Sequence, residues 1–417
     1  MNGTRRMKVL VLNSGSSSQK SCLFEIGDQL PVEPPGCLWE AKIEWQEKSA
    51  RVEFKHGTQV ANRAASRVTN EEWPKTVSRR ESIQRMLENL RGSQSGGADL
   101  VSTIDVVGHR VVHGGPSFED PVIVTPDVKS AIAGVSAFAP LHNRAELESI
   151  EEIEKLLGGI KQVAVFDTRF HKTMPLPARV YPGPYAWYSG GIRRYGFHGI
   201  NHKYCARRAA KMLPAASHAL RLVTCHLGNG CSLAAIRDGK SVDTTMGFTP
   251  LEGLMMGTRS GSVDPGIITY LMREKHLDGK QLDEVLNKQS GLLGISGLSG
   301  DMREVLAAMK DGNDRAKLAF DIYIHRLQSG IGSMIASLGG IDALVFTAGV
   351  GENSSEVRAA ACENLRYAGV ELDPAKNAQS APDADISTPG STTRVLIIRA
   401  QEDWEIARSC WEMQHLL

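Results

Sequence analysis

An apolar strand that runs into a glycine- and serine-rich turn and returns as a second apolar strand occurs twice in this chain, and few folds accommodate that. The first copy is Val9–Leu12, the turn NSGSSSQK from Asn13 to Lys20, and the return Cys22–Ile26. The second is Leu222–Cys225, the turn HLGNG from His226 to Gly230, and Cys231–Ile236 with a tight turn at Asp238-Gly239. Each reads as a hairpin. Two such units about two hundred residues apart, at low sequence similarity, point to an internal duplication.

The rest of the chain alternates strand and helix signals. Lys161–Asp167 reads as a buried strand, and Leu147, Ile150, Ile153, Leu156 and Leu157 form a helical stripe behind a cap at Asn143. Arg315–Leu338 reads as a long helix stopped at Gly339-Gly340. Ala343–Thr347 is a strand opening into AGVGENS, with a helix ending near Gly369. Arg394–Ile398 is a last strand, and a C-terminal helix starts near Asp403. Such alternation implies mixed sheets covered by helices. Pro31–Gly97, polar and weakly periodic, reads as peripheral to the chemistry, and Ala378–Thr392 as a loop.

At 417 residues the chain is long enough for two or three domains. A formal net charge of +1 gives no reason to expect nucleic acid or an anionic membrane as partner. Seven scattered cysteines without a CxxC pair suit reduced thiols in a cytosol better than a disulfide framework or a zinc site. The apolar run near the start is too short for a signal-peptide core, and no stretch approaches a membrane span. A cytoplasmic protein is expected.

Three sets of residues carry chemistry. Glycine-rich turns leaving strands let a backbone approach phosphate, since no Cβ intervenes and the turn N–H groups form anion-binding concavities. NSGSSSQK, HLGNG and AGVGENS are three such turns; each alone could be a surface hairpin. No Walker loop, GxGxxG, HExxH or GxSxG accompanies them. The second set is cationic: Arg110 in GHRVVHGG, Arg259 in MGTRSGS and His198 in RRYGFHG, all among glycines that leave room for substrate. Fixed cations of this kind hold charge that spreads during phosphoryl transfer. The third set is Asp167 and Glu402, each after a strand, where α/β sites lie; either could equally be a cap or turn residue.

Assembled, these residues closely resemble the acetate kinase family. The landmarks NSGSSSQK, GHRVVHGG, APLHN, VAVFDTRFH, RRYGFHGINH, CHLGNG, DTTMGFTPLEGLMMGTRSGSVDP, SGLLGISG and FTAGVGENS follow in order from residue 8 to about 370. The resemblance implies an α/β fold of duplicated ribonuclease H-like (actin-like ATPase) domains, with the active-site cleft between them. It implies an acyl-substrate domain from 1–171 plus 404–417 and a nucleotide domain from 172–403. It also implies a homodimer, and reversible transfer between ATP and acetate to give ADP and acetyl phosphate.

Carried over by motif, Asn13 and Glu402 associate with Mg²⁺, for which Mn²⁺ can substitute, and Lys20 reaches nucleotide phosphate. Arg110 and Arg259 hold the carboxylate and the transferring phosphoryl, and His198 stabilises the transition state. Asp167 is the essential acid, in positioning or metal-water contacts rather than proton transfer, because a carboxylate acceptor needs no base at neutral pH. Val112, Leu141, Phe197 and Pro250 meet the acyl group. The nucleotide lies along His226, Leu227, Gly228, Asn229 and Gly230, along Asp301, Met302 and Arg303, and along Gly349, Val350, Gly351, Glu352 and Asn353. Two departures stand out. The family's Thr-Asn-Glu-Glu stretch is Ala400-Gln401-Glu402-Asp403 here, which makes Asp403 a rival to Glu402 and the natural helix cap. Arg144 also replaces a common proline after APLHN. Propionate or butyrate kinase chemistry is the near rival, because one methylene is worth only about 1–3 kcal/mol. A non-catalytic nucleotide-binding module is the rival of another class, and the acyl-side residues weigh against it.

Overall fold

The computed structural model describes residues 6–15, 18–45, 49–57, 67–74, 76–92, 99–116, 118, 120–135, 143–213 and 219–415. The chain divides into two compact units, Met1–Arg169 with Gln401–Leu417, and Phe170–Ala400.

The first unit holds an eight-stranded sheet. Its strands are β1 (Met7–Ser14), β2 (Ser18–Ile26), β3 (Trp39–Trp45), β4 (Ser49–His56), β5 (Arg67–Pro74), β6 (Val106–Val111), β7 (Val122–Ile123) and β8 (Lys161–Phe166). They lie in the order β5-β4-β3-β2-β1-β6-β8-β7. The β1–β2 hairpin is antiparallel with Asn13 opposite Lys20, while β1–β6 and β6–β8 are parallel. The apolar run of β1 is buried because both sheet faces are covered. On one face Leu10, Leu12 and Leu23 join Ile83, Met86, Leu87 and Leu90 of the helix Arg79–Arg91. On the other the C-terminal helix Glu402–His415 packs so closely that a Cβ on Gly108 would lie 2.6 Å from Cys410 Sγ. Phe24 meets Trp404 edge-on, with ring centroids 5.7 Å apart.

Residues 31–97, in which the sequence showed no clear periodicity, supply three strands of this sheet and a helix. Trp39, Ala41 and Ile43 alternate with Glu40, Lys42 and Glu44, and Ala50, Val52 and Phe54 repeat the pattern. Alternation of period two turns one face to the core and leaves the other charged, which lowers mean hydropathy without weakening the strand.

The second unit holds a six-stranded sheet. Its strands are β9 (Arg221–Leu227), β10 (Cys231–Arg237), β11 (Lys240–Thr244), β12 (Ala343–Thr347), β13 (Ala384–Asp385) and β14 (Arg394–Ile397), in the order β11-β10-β9-β12-β14-β13. The β9–β10 hairpin is antiparallel; β9–β12 and β12–β14 are parallel; β13 runs antiparallel on the edge. Strand for strand this repeats β3-β2-β1-β6-β8-β7, including the antiparallel edge strand β7. The duplicated α/β fold expected from the two hairpins is present, and β4 and β5 are an extension peculiar to the first unit. The helix Asp314–Leu338 runs 25 residues, capped by the Asn313 side chain on Ala316 N and closed by Gly339 at φ 67°. No helix among the described residues is long and apolar enough to cross a membrane.

Candidate active site

In the first unit the predicted residues gather at the ends of β1, β6 and β8. Arg110, the last residue but one of β6, donates from Nη2 to Asp167 Oδ2 at 2.8 Å. This ion pair is nearly dry, with side chains 12% and 1% exposed. Burial alone would lower the arginine's pKa, but the carboxylates of Asp167 and Glu402 raise it, so the guanidinium is held charged. The Asn13 amide donates to Glu402 Oε2 at 3.1 Å and to Asp403 Oδ1 at 2.9 Å. Lys20, opposite Asn13 on β2, sets its ammonium 2.8 Å from Asp403 Oδ2 and 3.7 Å from Glu40. Burial opposes the lysine's charge, and Asp403, with Cys22 and Glu40, more than offsets it.

Asp403 is not the helix cap expected from the sequence. The helix begins at Glu402, and the Gln401 carbonyl accepts from Glu405 N, so Asp403 already lies in the first turn. Its buried carboxylate is taken by Asn13 and Lys20 instead of backbone N–H groups. Burial and the neighbouring Asp167 and Asp403 raise the Glu402 pKa against the pull of Arg110 and Asn13. Among the described residues Glu402 enters no ion pair.

Val112 is buried just past β6, and its N–H donates to Glu146 Oε2 at 2.9 Å. Glu146 was not singled out from the sequence. It is fully buried, and desolvation pushes its pKa up to about 8 despite Arg110 and Arg79 nearby. Asn143, expected as a cap, instead brackets His113, accepting from its N–H at 3.1 Å and donating to its carbonyl at 2.9 Å. Leu141 lies outside the described residues, and Arg144 is exposed.

In the second unit a different network stands at the ends of β9 and β12. His198 opens the helix Gly199–Met212 in the left-handed region, φ 55° and ψ 23°, a conformation unfavourable for a residue with a Cβ. Its ring stacks on His226 with centroids 3.9 Å apart, and its Nδ1 lies 2.9 Å from Ser232 Oγ. Asn201 donates to Nδ1 of His226 at 2.9 Å and to Thr347 Oγ1 at 3.3 Å, joining the two strand ends. The same Ser232 hydroxyl lies 2.8 Å from His202 Nε2, and burial holds His202 well below the ordinary histidine range. Asn201, His202 and Ser232 were not singled out from the sequence; the spacing GINH that holds two of them was visible but gave no sign of burial.

Gly230 faces Arg259 and His198: a Cβ there would lie 3.4 Å from Arg259 Nη1 and 3.5 Å from the His198 ring. Arg259 Nη1 donates to the Pro250 carbonyl at 3.1 Å, and Phe197 is buried beside His198. Leu227 ends β9 buried, Gly228 N donates to the Gly230 carbonyl, and the Asn229 carbonyl accepts from Gly257 N at 3.1 Å. Gly257 also abuts Gly300, which brings Asp301 beside the turn. Asp301 caps the helix Met302–Lys310 and pairs with the exposed Arg303; Met302 is buried. Gly349, Val350, Gly351, Glu352 and Asn353 form the short helix after β12. Glu352 Oε1 accepts from Ala348 N at 2.9 Å and Ala400 N at 2.8 Å, tying the ends of β12 and β14.

These geometries can be set beside known proteins. The family model described as the acetokinase family matches residues 8–408. An acetate kinase of Gloeobacter violaceus is 56% identical over 412 residues, covering 98% of this chain and all of that one. The crystal structure of Porphyromonas gingivalis acetate kinase is 39% identical with a TM-score of 0.83, covering 99% of this chain and 100% of that one. A propionate kinase structure from Francisella tularensis is 37% identical with a TM-score of 0.84, covering 97% and 98%. With matches of this extent behind the strand-end residues, the chain belongs to the acetokinase family.

Proposed function

We propose that this enzyme transfers the γ-phosphoryl of ATP reversibly to the carboxylate of acetate, giving acetyl phosphate and ADP. The observation that carries the reading, beside family membership, is the buried Arg110–Asp167 pair at the strand ends of the first unit. An arginine fork fixed by an acid presents its remaining N–H groups to a carboxylate or phosphoryl oxygen in one orientation. Transfer is direct and in line. Arg110, Arg259 and His198 neutralise charge on the moving group, Asp167 positions Arg110, and Lys20 meets nucleotide phosphate. Val112, Leu141, Phe197 and Pro250 are assigned to the acyl group by the family motifs that hold them. The second unit, with the turns His226–Gly230, Asp301–Arg303 and Gly349–Asn353, holds the nucleotide.

The residues of the first unit suit Mg²⁺. Asp167 is matched by Arg110 and Asp403 by Lys20, which leaves Glu402 as the carboxylate in surplus. A hard divalent cation takes oxygen ligands and would supply the missing charge. Asn13 and Glu402 would hold it, and Mn²⁺ would substitute; bound, it would draw charge from the phosphate oxygens. Cytoplasmic residence agrees with seven scattered cysteines that include no CxxC pair. A homodimer agrees with the exposed Ile267, Tyr270 and Met272 on the helix Pro265–Glu274 of the second unit.

Trapping the acyl phosphate with hydroxylamine across one- to four-carbon acids tests the reading. Acetate should give the highest kcat/KM, and ATP turnover that ignores the acid would sink it. The structural likeness to a propionate kinase makes propionate the second reading, and a higher kcat/KM for propionate would select it. Glu402→Gln should raise the Mg²⁺ requirement, whereas Asp403→Asn should change it little.

A further inference from the structure

Cys22 lies on β2 directly opposite Glu40 of β3. Its thiol donates to Asp403 Oδ2 at 3.6 Å. Cys37 precedes β3, at the end of a segment (27–38) that carries no strand or helix. The two sulfur atoms and a Glu40 carboxylate oxygen all lie within 4.8 Å of one another. Six of the seven cysteines are buried, and Cys37 alone is half-exposed. A thiol that reagents can reach therefore stands against one that they cannot.

Two thiols and a carboxylate could in principle take a soft metal ion. The charges argue otherwise. Glu40 already has the ammonium groups of Lys20 at 3.7 Å and Lys55 at 3.4 Å, so a divalent cation would meet like charge. Joining the sulfurs adds no charge. The hydrogen bond to Cys37 and burial hold the Cys22 thiol well above its ordinary range, so it reacts only with a partner pressed against it.

We propose that Cys22 and Cys37 close a reversible disulfide under peroxide, and that closure slows turnover by disturbing the Lys20–Asp403 pair. In the first step the Cys37 thiolate attacks one oxygen of hydrogen peroxide. The O–O bond breaks, and Cys37 sulfenic acid and hydroxide result. In the second step the Cys22 sulfur attacks the Cys37 sulfur and the S–O bond breaks. The oxygen leaves as water with the Cys22 proton. Two thiols and one peroxide become one disulfide and two waters. Closing the gap draws Cys22 away from Asp403 and removes the S–H bond that helps hold that carboxylate against Lys20. The effect on turnover rests on the proposed role of Lys20; the bond itself does not.

The full-length protein and Cys37→Ser should be treated with hydrogen peroxide, alkylated and mapped by mass spectrometry, with acid-dependent turnover measured before and after. The expected result is a peptide pair joined through Cys22 and Cys37, a several-fold loss of kcat, and recovery of both with dithiothreitol. Cys37→Ser should show neither the bond nor the reversible loss. Oxidation of Cys37 to sulfinic acid without a cross-link would overturn the proposal. So would one equivalent of Zn²⁺ bound by the untreated protein and lost in Cys37→Ser, which would make the cluster a metal site. A cross-link with unchanged kcat would overturn the link to Lys20. Turnover of the untreated protein without acid dependence would instead fail the functional reading and leave the cross-link standing.

Discussion

The two sheets share a strand order and differ in what stands at the ends of their parallel strands. Continuing the registers, Asn13, Arg110 and Asp167 of the first sheet correspond to His226, Thr347 and Ala400 of the second. In the first unit two of these positions, Arg110 and Asp167, are ions paired with each other, and the third is the amide of Asn13, which donates to Glu402. In the second they are neutral, joined by Asn201 through His226 and Thr347. The shared topology supplies three adjacent places facing one way, and side chains decide whether those places hold charge or neutral hydrogen bonds. Function resides in such grafted sites rather than in the sheet.

The sharpest way to break the comparison is to empty the matched positions in turn. Arg110→Ala leaves Asp167 buried without its cation and should cost about 3–5 kcal/mol of stability along with nearly all activity. Thr347→Val removes one neutral hydrogen bond and should cost only about 1 kcal/mol. Urea denaturation of both variants measures the difference. Equal losses would mean that the ions of the first unit are no more costly to uncouple than the neutral network of the second.

Arg259 belongs to the second unit, and although its guanidinium donates to the Pro250 carbonyl, its main contribution should be catalytic. Arg259→Ala should lower kcat by about 10²–10³ while the unfolding midpoint barely moves. Lysine should restore part, since a point charge lacks the planar fork. A raised acetate KM at unchanged kcat would show that the residue binds the ground state only.

Both hairpins, the long helix and the strand-end acids were legible because glycine turns, apolar runs and motif spacing are written locally. The strands β3 to β5 were missed because their outward faces are charged, although the alternation Trp39, Ala41, Ile43 was there to be counted. Asn201, Ser232 and Glu146 were not legible for another reason. A polar residue on a helix or strand looks solvated until the tertiary fold buries it, and only then must it find a partner. The buried face of the helix Asn143–Leu157 includes Asn143, Glu146 and Ser149 beside Ile150 and Ile153, so the apolar stripe gave only part of it.

Glu146 offers a finer test, because burial pushes its pKa up to about 8. Below pH 4.5 it is protonated in folded and unfolded chains alike. Between 4.5 and about 8 the unfolded chain releases the proton while the folded one keeps it, so stability falls as pH rises and levels off above 8. Glutamine can still accept the Val112 N–H and cannot ionise. Glu146→Gln should therefore match the parent at pH 5 and exceed it in thermal midpoint at pH 8. A gap that is the same at both pH values would mean that Glu146 is ionised throughout.

The smallest effects should come from the next position along each strand end, where the comparison becomes one of shape. Two residues past Arg110 stands Val112; two residues past Thr347 stands Gly349. A wall suits a short acyl chain, and a bare backbone suits phosphate, which approaches glycine N–H groups closely. Val112 is buried, so Val112→Ala opens space and should favour propionate over acetate by about tenfold, the worth of a methylene in an apolar pocket. Gly349 is exposed, and a Cβ added there would meet nothing within 4 Å, so Gly349→Ala should leave stability untouched. If nucleotide phosphate occupies that space, the same methyl group should raise the KM for ATP and leave the acid ratio alone. Steady-state kinetics with both acids and with varied ATP separate the two variants. A changed acid ratio in Gly349→Ala, or a changed ATP KM in Val112→Ala, would mean that the acyl and nucleotide roles have been assigned to the wrong sheets.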